Sequence, residues 1–235
     1  MEKQVILITG ASSGIGYETA EALAKMGHMV YGAARRTEKI APLEALGVVP
    51  IKMDVTDEKS LQAGVQAILE KEGRIDILIN NAGYGSLGAI ETVPIEEARR
   101  QMEVNVFAIA RLTQLVLPGM RAKRHGRIIN ISSLAGKMTI PFGGWYNISK
   151  YSVEAFSDAL RMETRPFGIK ASATAVFPRP SMRLIAAGFL SEHMFPDTET
   201  IVAPVAFSIS LQTASEAMVA MFMPMASPVE NDSLR

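Results

Sequence analysis

Apolar residues along this chain occur in two alternating kinds of segment: short unbroken runs, and longer stretches in which they recur every three or four positions. The first run, Val5-Ile6-Leu7-Ile8, is closed by Thr9-Gly10. It reads as a buried parallel strand, because a strand covered on both faces shows no polar alternation. Ala11 to Gly16 then leads into a helical stretch, Tyr17 to Met26, closed by Gly27. The same logic predicts a strand at Met29 to Ala34, a helix after Thr37, a strand at Val48 to Met53, a helix from about Asp57 to Lys71, and a strand at Ile75 to Asn80. A loop of small residues, Ala82 to Gly88, precedes a long helix from about Pro94 to Leu117, with proline acceptable in its first turn. A strand ending at Ser132, a helix carrying Tyr146 and Lys150, and a strand from Ile169 to Phe177 complete the regular part. Alternating units of this length imply an α/β fold, a doubly wound parallel sheet with helices on both faces. Beyond it, prolines at 178, 180, 196, 204, 224 and 228 break the pattern, so the C-terminal part is expected to be shortened or irregular, ending in a frayed polar tail over 227–235.

Composition narrows the class. With 235 residues, 48% hydrophobic and 20% charged, the chain is expected to form one large domain with a sizeable core over 1–235. Lys plus Arg and Asp plus Glu are equal at 24 each, so no net field points to nucleic acid or an acidic membrane. There is no cysteine, which excludes disulfides, thiolate catalysis and cysteine metal sites. His28, His125 and His193 have no metal-ligand spacing, and no metal is expected. The N-terminal apolar run is too brief for a signal peptide, and no run approaches the ~20 residues of a membrane span. A cytoplasmic location is the resulting expectation.

Candidate chemistry sits in three places. Tyr146 and Lys150 are four residues apart, one turn along one face of a helix. A phenol titrates near ~10 in water, and a fixed positive charge beside it favours the phenolate. Thirteen residues earlier Ser133 follows an apolar run, where it is placed to hold a substrate oxygen. Gly10, Gly14 and Gly16 stand between the first strand and the first helix, a turn that lets backbone approach a pyrophosphate at a helix N-terminus. Arg35 and Arg36 end the second strand, where an acid would read the ribose of NAD and an arginine accommodates the 2′-phosphate of NADP. Ser12 is a plausible helper, and NADP (NADPH) is therefore expected in preference to NAD.

Taken together, these residues resemble the short-chain dehydrogenase/reductase family. The matching motifs are Thr9-Gly10-Ala11-Ser12-Ser13-Gly14-Ile15-Gly16, Asp54-Val55, Asn80-Asn81-Ala82-Gly83, Asn105, Ser133, and Tyr146 with Lys150, in the family's order over residues 5 to 177. The resemblance implies a Rossmann-type sheet in which the glycine turn binds the dinucleotide. It further implies that Asp54 and Val55 flank the adenine and that Asn80, Ala82 and Gly83 line the cofactor cleft, with Asn81 stitching strands. On the same grounds Asn105 would hold a water of a proton relay and Ser133 would position the carbonyl. Tyr146 would be the acid/base, and Lys150 would bind the nicotinamide ribose and depress the Tyr146 pKa. The implied activity is NADP-dependent interconversion of a hydrophobic ketone or aldehyde and its alcohol, in a homodimer. A catalytically impaired dinucleotide-binding sensor or interaction protein on the same fold is the alternative.

Two departures from the family's pattern bear on that alternative. Where members commonly continue Pro-Gly after the sixth strand and carry a threonine five residues past the proline, this chain has Pro178-Arg179 and Arg183, with Ser181 as a possible substitute. The chain is also expected to stop before the family's further helix and seventh strand, leaving the sixth strand as an edge. Tyr84, Leu134, Met138, Phe142 and Trp145 are candidate walls for an apolar carbonyl or alcohol substrate, with Phe189, Leu190 and Met194 above it in a substrate-loop region over 178–226. Met218, Met221, Phe222 and Met225 fit one helical face as gap-filling core.

Overall fold

The computed structural model of the chain describes residues 3–175 and 201–202. Seven parallel strands form one sheet in the order β3-β2-β1-β4-β5-β6-β7: β1 (Val5–Thr9), β2 (Met29–Ala34), β3 (Val48–Lys52), β4 (Ile77–Asn80), β5 (Gly126–Ser132), β6 (Ile169–Ala175) and β7 (Ile201–Val202). The side-chain period of two divides each strand between two cores. Val5 and Leu7 of β1 face Leu61, Val65 and Ile68 of α2 (Glu58–Glu72), Leu112, Val116 and Met120 of α4 (Ala108–Lys123), and Leu160 of α5 (Gly144–Thr164). Ile6 and Ile8 face the other way, onto Ala20, Leu23 and Ala24 of α1 (Gly14–Lys25). Each such fully buried aliphatic side chain contributes roughly 1.5–3 kcal/mol relative to exposure. The α/β doubly wound sheet predicted from the sequence is the observed fold.

Strand order reverses between β1 and β4, which are neighbours although β2 and β3 lie between them in sequence. Chain leaving β1 turns one way and chain leaving β4 turns the other, so a crevice opens beyond their C-terminal ends.

Four local expectations are corrected. The helix expected after Thr37 is two tight 3-10 segments, Thr37–Lys39 and Ala41–Leu46. Gly47, at φ 90, ends the second segment, and Ile40 and Leu43 pack into the α1 core. The long helix expected from Pro94 begins at Ile95 as α3 (Ile95–Met102), passes through a wide π turn at Glu103–Phe107, and continues as α4 to Lys123. The helix thus runs past the expected end at Leu117, with Pro118 inside α4 and Met120 buried two residues later. The strand expected from Ile75 begins at Ile77, because the Asp76 carboxylate instead accepts from the Val5 amide at 2.8 Å and pairs with Arg74.

The fourth correction concerns the sheet edge. Ile201 and Val202 pair in parallel with Thr174 and Ala175, so a seventh strand exists and covers the C-terminal end of β6. Two β-branched residues carry too little periodicity to be read as a strand; the neighbouring ladder defines them. The expectation that the family's further helix is missing, and the readings of Pro178 to Met194 and Met218 to Met225, concern residues outside the described ones.

Candidate active site

The floor of the crevice is set by backbone chemistry. Gly10 and Gly14 adopt left-handed φ values of 67 and 56, which L side chains rarely accept. A Cβ on Gly10 would also stand 2.9 Å from the Ala82 Cα, so the turn after β1 lies directly against the chain leaving β4. Thr9 and Asn81 hold that contact. The Thr9 hydroxyl accepts from the amides of Asn81 and Ala82, each at 3.0 Å, while the Asn81 side-chain amide donates to the carbonyls of Thr9 at 2.9 Å and Gly10 at 3.3 Å. Asn81 therefore joins β1 to β4, as the resemblance implied, and Thr9 is a member of the bracing that sequence reading missed.

A cleft of about 890 Å³ rises from this floor. Gly10, Ser12, Ser13 and Ile15 of the turn line it, with Arg35 and Arg36 after β2, Asp54 and Val55 after β3, Ala82 and Gly83 after β4, and Ser133, Tyr146 and Lys150. Gly14, Gly16, Asn80 and Asn105 are not among its lining residues. For Gly16 the reason is packing: a Cβ there would overlap the Gly10 carbonyl and the Asn81 side chain.

Asn80 departs from expectation. It lies on the same face of β4 as Leu78, so its buried side chain points beneath the cleft, where it donates to Asn130 Oδ1 at 2.9 Å. Asn130 in turn donates to Ser157 of α5 at 2.9 Å. Asn80 thus links β4, β5 and α5 from below.

Asn105 is 1% exposed inside the π turn. Its Oδ1 accepts from the Tyr84 amide at 3.0 Å, and its Nδ2 donates to the Tyr84 carbonyl at 2.8 Å and to the Ser149 hydroxyl at 3.0 Å. These three bonds hold the loop after β4 against α5. Ser133 leaves β5 and accepts from the Ala135 amide at 3.2 Å, which starts a 3-10 turn at Leu134–Gly136. Gly85 passes under the Tyr146 ring so closely that a Cβ would meet its Cδ2 at 3.3 Å.

Lys150, 7% exposed, places Nζ 5.8 Å from the Tyr146 ring centroid and donates to the Ile131 carbonyl at 2.8 Å. Burial pushes its ammonium down to about 8, against the opposing influence of Glu154. Since an unfolded lysine titrates near ~10.4, the folded chain releases this proton first. The buried charge therefore costs stability in full below about pH 8, and stability is regained as pH rises from there toward ~10.4. We expect the cofactor-free protein to gain about 3 kcal/mol over that window relative to Lys150→Met, measured by urea unfolding. Parallel pH dependences of the two proteins would contradict it.

Asp54 is an acid of the cleft. Burial alone would raise its pKa, but the Thr56 amide at 3.0 Å and hydroxyl at 2.8 Å, with the charges of Arg35 and Arg100, hold it below the ordinary carboxylate range. Thr56 and Arg100 line the same cleft, as do Glu97 and Glu103. The Asp54-x-Thr56 spacing, typical of a side chain capping its own turn, was the available signal for Thr56. Arg100 had none, since it is brought in by a helix nearly fifty residues away.

A family model described as short chain dehydrogenase matches residues 4–178. The chain belongs to the short-chain dehydrogenase family. It is 47% identical over 171 residues to a 3-ketodihydrosphingosine reductase of Bacteroides thetaiotaomicron, a match that covers 72% of this chain and 62% of that protein. The chain spans about three fifths of the length of this relative and of a second curated one. Among solved structures, a metagenomic short-chain oxidoreductase in complex with NADP superposes with a TM-score of 0.75 at 30% identity, covering 84% of this chain and 94% of the other. An NAD+-bound xylitol dehydrogenase superposes at 0.70 with 30% identity, covering 73% and 69%. Relatives of one fold thus carry both dinucleotides.

The expected substrate wall of this short-chain dehydrogenase is divided. Tyr84 lines the cleft; Leu134 and Trp145 are half-buried. Phe142, 68% exposed, instead lines a separate apolar pocket of about 750 Å³ with Ile90, Ile148 and Tyr151. Ile148 and Tyr151 lie on the side of α5 roughly opposite Tyr146. His28 is buried, its Nδ1 accepting from the Gln4 amide, and no group of metal ligands occurs among the described residues. No helix among them is long and apolar enough to cross a membrane.

Proposed function

We propose that the protein is an NADP-dependent oxidoreductase that interconverts a hydrophobic ketone or aldehyde and its alcohol, with Tyr146 as acid/base. The observation that carries this is the convergence of Ser133, Tyr146 and Lys150 on the cleft that the glycine turn and Arg35 also line. The residues fit a nicotinamide dinucleotide. The turn offers backbone amides at the N-terminus of α1 to a pyrophosphate, Asp54 and Val55 face an adenosine, and Arg35 and Arg36 offer guanidinium groups to a 2′-phosphate.

When bound, the nicotinamide supplies or accepts the hydride. The chain does the rest. Ser133 orients the substrate oxygen by hydrogen bonding, and the Tyr146 hydroxyl donates a proton to that oxygen as the alcohol forms, or removes it in the reverse direction. Lys150, anchored by the Ile131 carbonyl, binds the ribose and presents positive charge beside the phenol. Asn105 holds the floor of a relay through which a water returns the proton to Tyr146.

The similarity to a 3-ketodihydrosphingosine reductase favours a long-chain ketone as substrate. An assay of NADPH oxidation with 3-ketodihydrosphingosine and shorter apolar ketones tests this, and turnover rising with chain length is the expected result. Tight NADPH binding without turnover on any of them would replace the enzyme by a dinucleotide sensor. For assembly we propose a homodimer through α4 and α5, supported by Phe107, Ile148, Tyr151 and Met162, large apolar side chains on or next to these helices that stand exposed. A monomeric mass by light scattering would remove that proposal.

A further inference from the structure

One helical turn beyond Lys150 lies a carboxylate that the proposed chemistry does not use. Glu154 is 6% exposed. Its Oε2 is 3.1 Å from Lys137 Nζ, while its Oε1 is buried with no hydrogen-bond partner among the described residues, as is the Ser132 hydroxyl. A buried carboxylate is costly unless a charge offsets it, and here positive groups stand on both sides, Lys137 on the loop after Ser133 and Lys150 on the helix itself.

The loop and the helix are in direct contact at this point. A Cβ on Gly136 would stand 2.9 Å from the Lys150 carbonyl, 2.9 Å from the Ser132 hydroxyl and 3.0 Å from Glu154 Cγ. Two turns before Glu154, Asn147 fastens the same loop by donating to the carbonyls of Ala135 and Met138, each at 2.8 Å. Neutral hydrogen bonds hold the loop at Ala135 and Met138, and between them the Lys137–Glu154 ion pair ties it to α5.

We propose that Glu154, clamped by Lys137, is a positioning residue for the reaction, a buried counter-charge that keeps the Lys150 ammonium in the cleft and fastens the Ser133 loop to α5. This rests on the reading in which Ser133, Tyr146 and Lys150 carry the chemistry. The titratable groups facing Lys150 are few. On α5 they are Tyr146 one turn before and Glu154 one turn after; on the packed loop it is Lys137. The β5 strand presents the Ile131 carbonyl, and the chain after β4 presents the backbone of Gly83. Arg35, Arg36, Asp54, Glu97, Arg100 and Glu103 share the cleft, and the charge of Glu154 raises the Lys150 proton affinity, opposing the effect of burial.

Glu154→Gln keeps the volume and removes the charge, and Lys137→Met leaves the Glu154 charge uncompensated on its outer side. In cofactor-free protein labelled with 13C-lysine, the Lys150 Cε signal, identified by its loss in Lys150→Met, reports the titration directly. The midpoint should fall by roughly one pH unit in Glu154→Gln and rise in Lys137→Met, as expected for a close opposite charge removed or unmasked. The alkaline limb of kcat/KM for NADPH with 3-ketodihydrosphingosine should move in the same directions. Unchanged midpoints, midpoints that move together, or a limb that stays while they move would each overturn the proposal. Should Glu154→Gln fail to fold, the exposed-side variant Lys137→Met carries the test. Tyr146→Phe separates the two readings: turnover surviving it removes the acid/base assignment, whereas the lysine midpoints bear on Glu154 regardless.

Discussion

Replacing Tyr146 by phenylalanine should lower kcat/KM by about 10²–10⁴-fold, the range over which a positioned general acid or base contributes. The substitution removes one hydroxyl and leaves the ring that packs over Gly85. NADPH affinity, measured by fluorescence titration, should change little, because the proposed reading assigns the dinucleotide's phosphates and ribose to the glycine turn, Arg35 and Lys150. That separation gives the prediction its force. A combined loss of binding and turnover would mean that Tyr146 shapes the cleft, and near-normal turnover would mean that another group moves the proton. Lys150→Met differs in kind, since it removes the ribose ligand and the local charge together and should damage both binding and turnover.

Cofactor preference should reverse when the end of β2 is rewritten. Arg35 lines the cleft close enough to Asp54 for its charge to help keep that carboxyl ionised, so it stands on the side proposed for the adenosine. A charge-assisted bond from such an arginine to a 2′-phosphate is worth roughly 1.5–3 kcal/mol, about ten- to a hundredfold in affinity. Ala34→Asp with Arg35→Ser removes that bond and adds a carboxylate that accepts from a ribose diol and repels a phosphate. The ratio of the Kd values for NADP and NAD should therefore change by about 10²–10⁴-fold in favour of NAD, if each change contributes a factor of that size. Equal binding of the two dinucleotides by the unaltered protein, or an Arg35→Ala variant with unchanged affinities, would reduce the arginine pair to solvated charge. The solved relatives, one with NADP and one with NAD+, show that the fold leaves this choice to local residues.

The sequence alone determined whatever depends on neighbours in the chain. Val5 to Ile8 read as a two-sided buried strand because every residue of it is apolar, and each is buried. The turn after it required left-handed residues, and glycines occupy those positions. Asp57 read as the start of a helix, and its carboxylate accepts from the Ser60 amide at 3.1 Å. Tyr146 and Lys150 shared a helix face by spacing alone. Tertiary structure decided the features that depend on chain segments far apart. Asn80 and Asn81 are adjacent and identical, yet one points beneath the cleft to Asn130 and the other up to the glycine turn, a choice made by the strand's registration between β1 and β5. The π turn at Asn105 exists in company with a side chain that bonds to Tyr84 and Ser149, and no local propensity announces it. Phe142 lies in the pocket with Ile148 and Tyr151 and not in the cleft, on a loop that Asn147 and Glu154 tie to α5 at Ala135 and Lys137. Ile201 and Val202 became a strand only by lying beside β6. Periodicity and spacing report energies that are local in sequence, whereas a side chain's partner across thirty or seventy residues is selected by packing, which forms only when the whole sheet does.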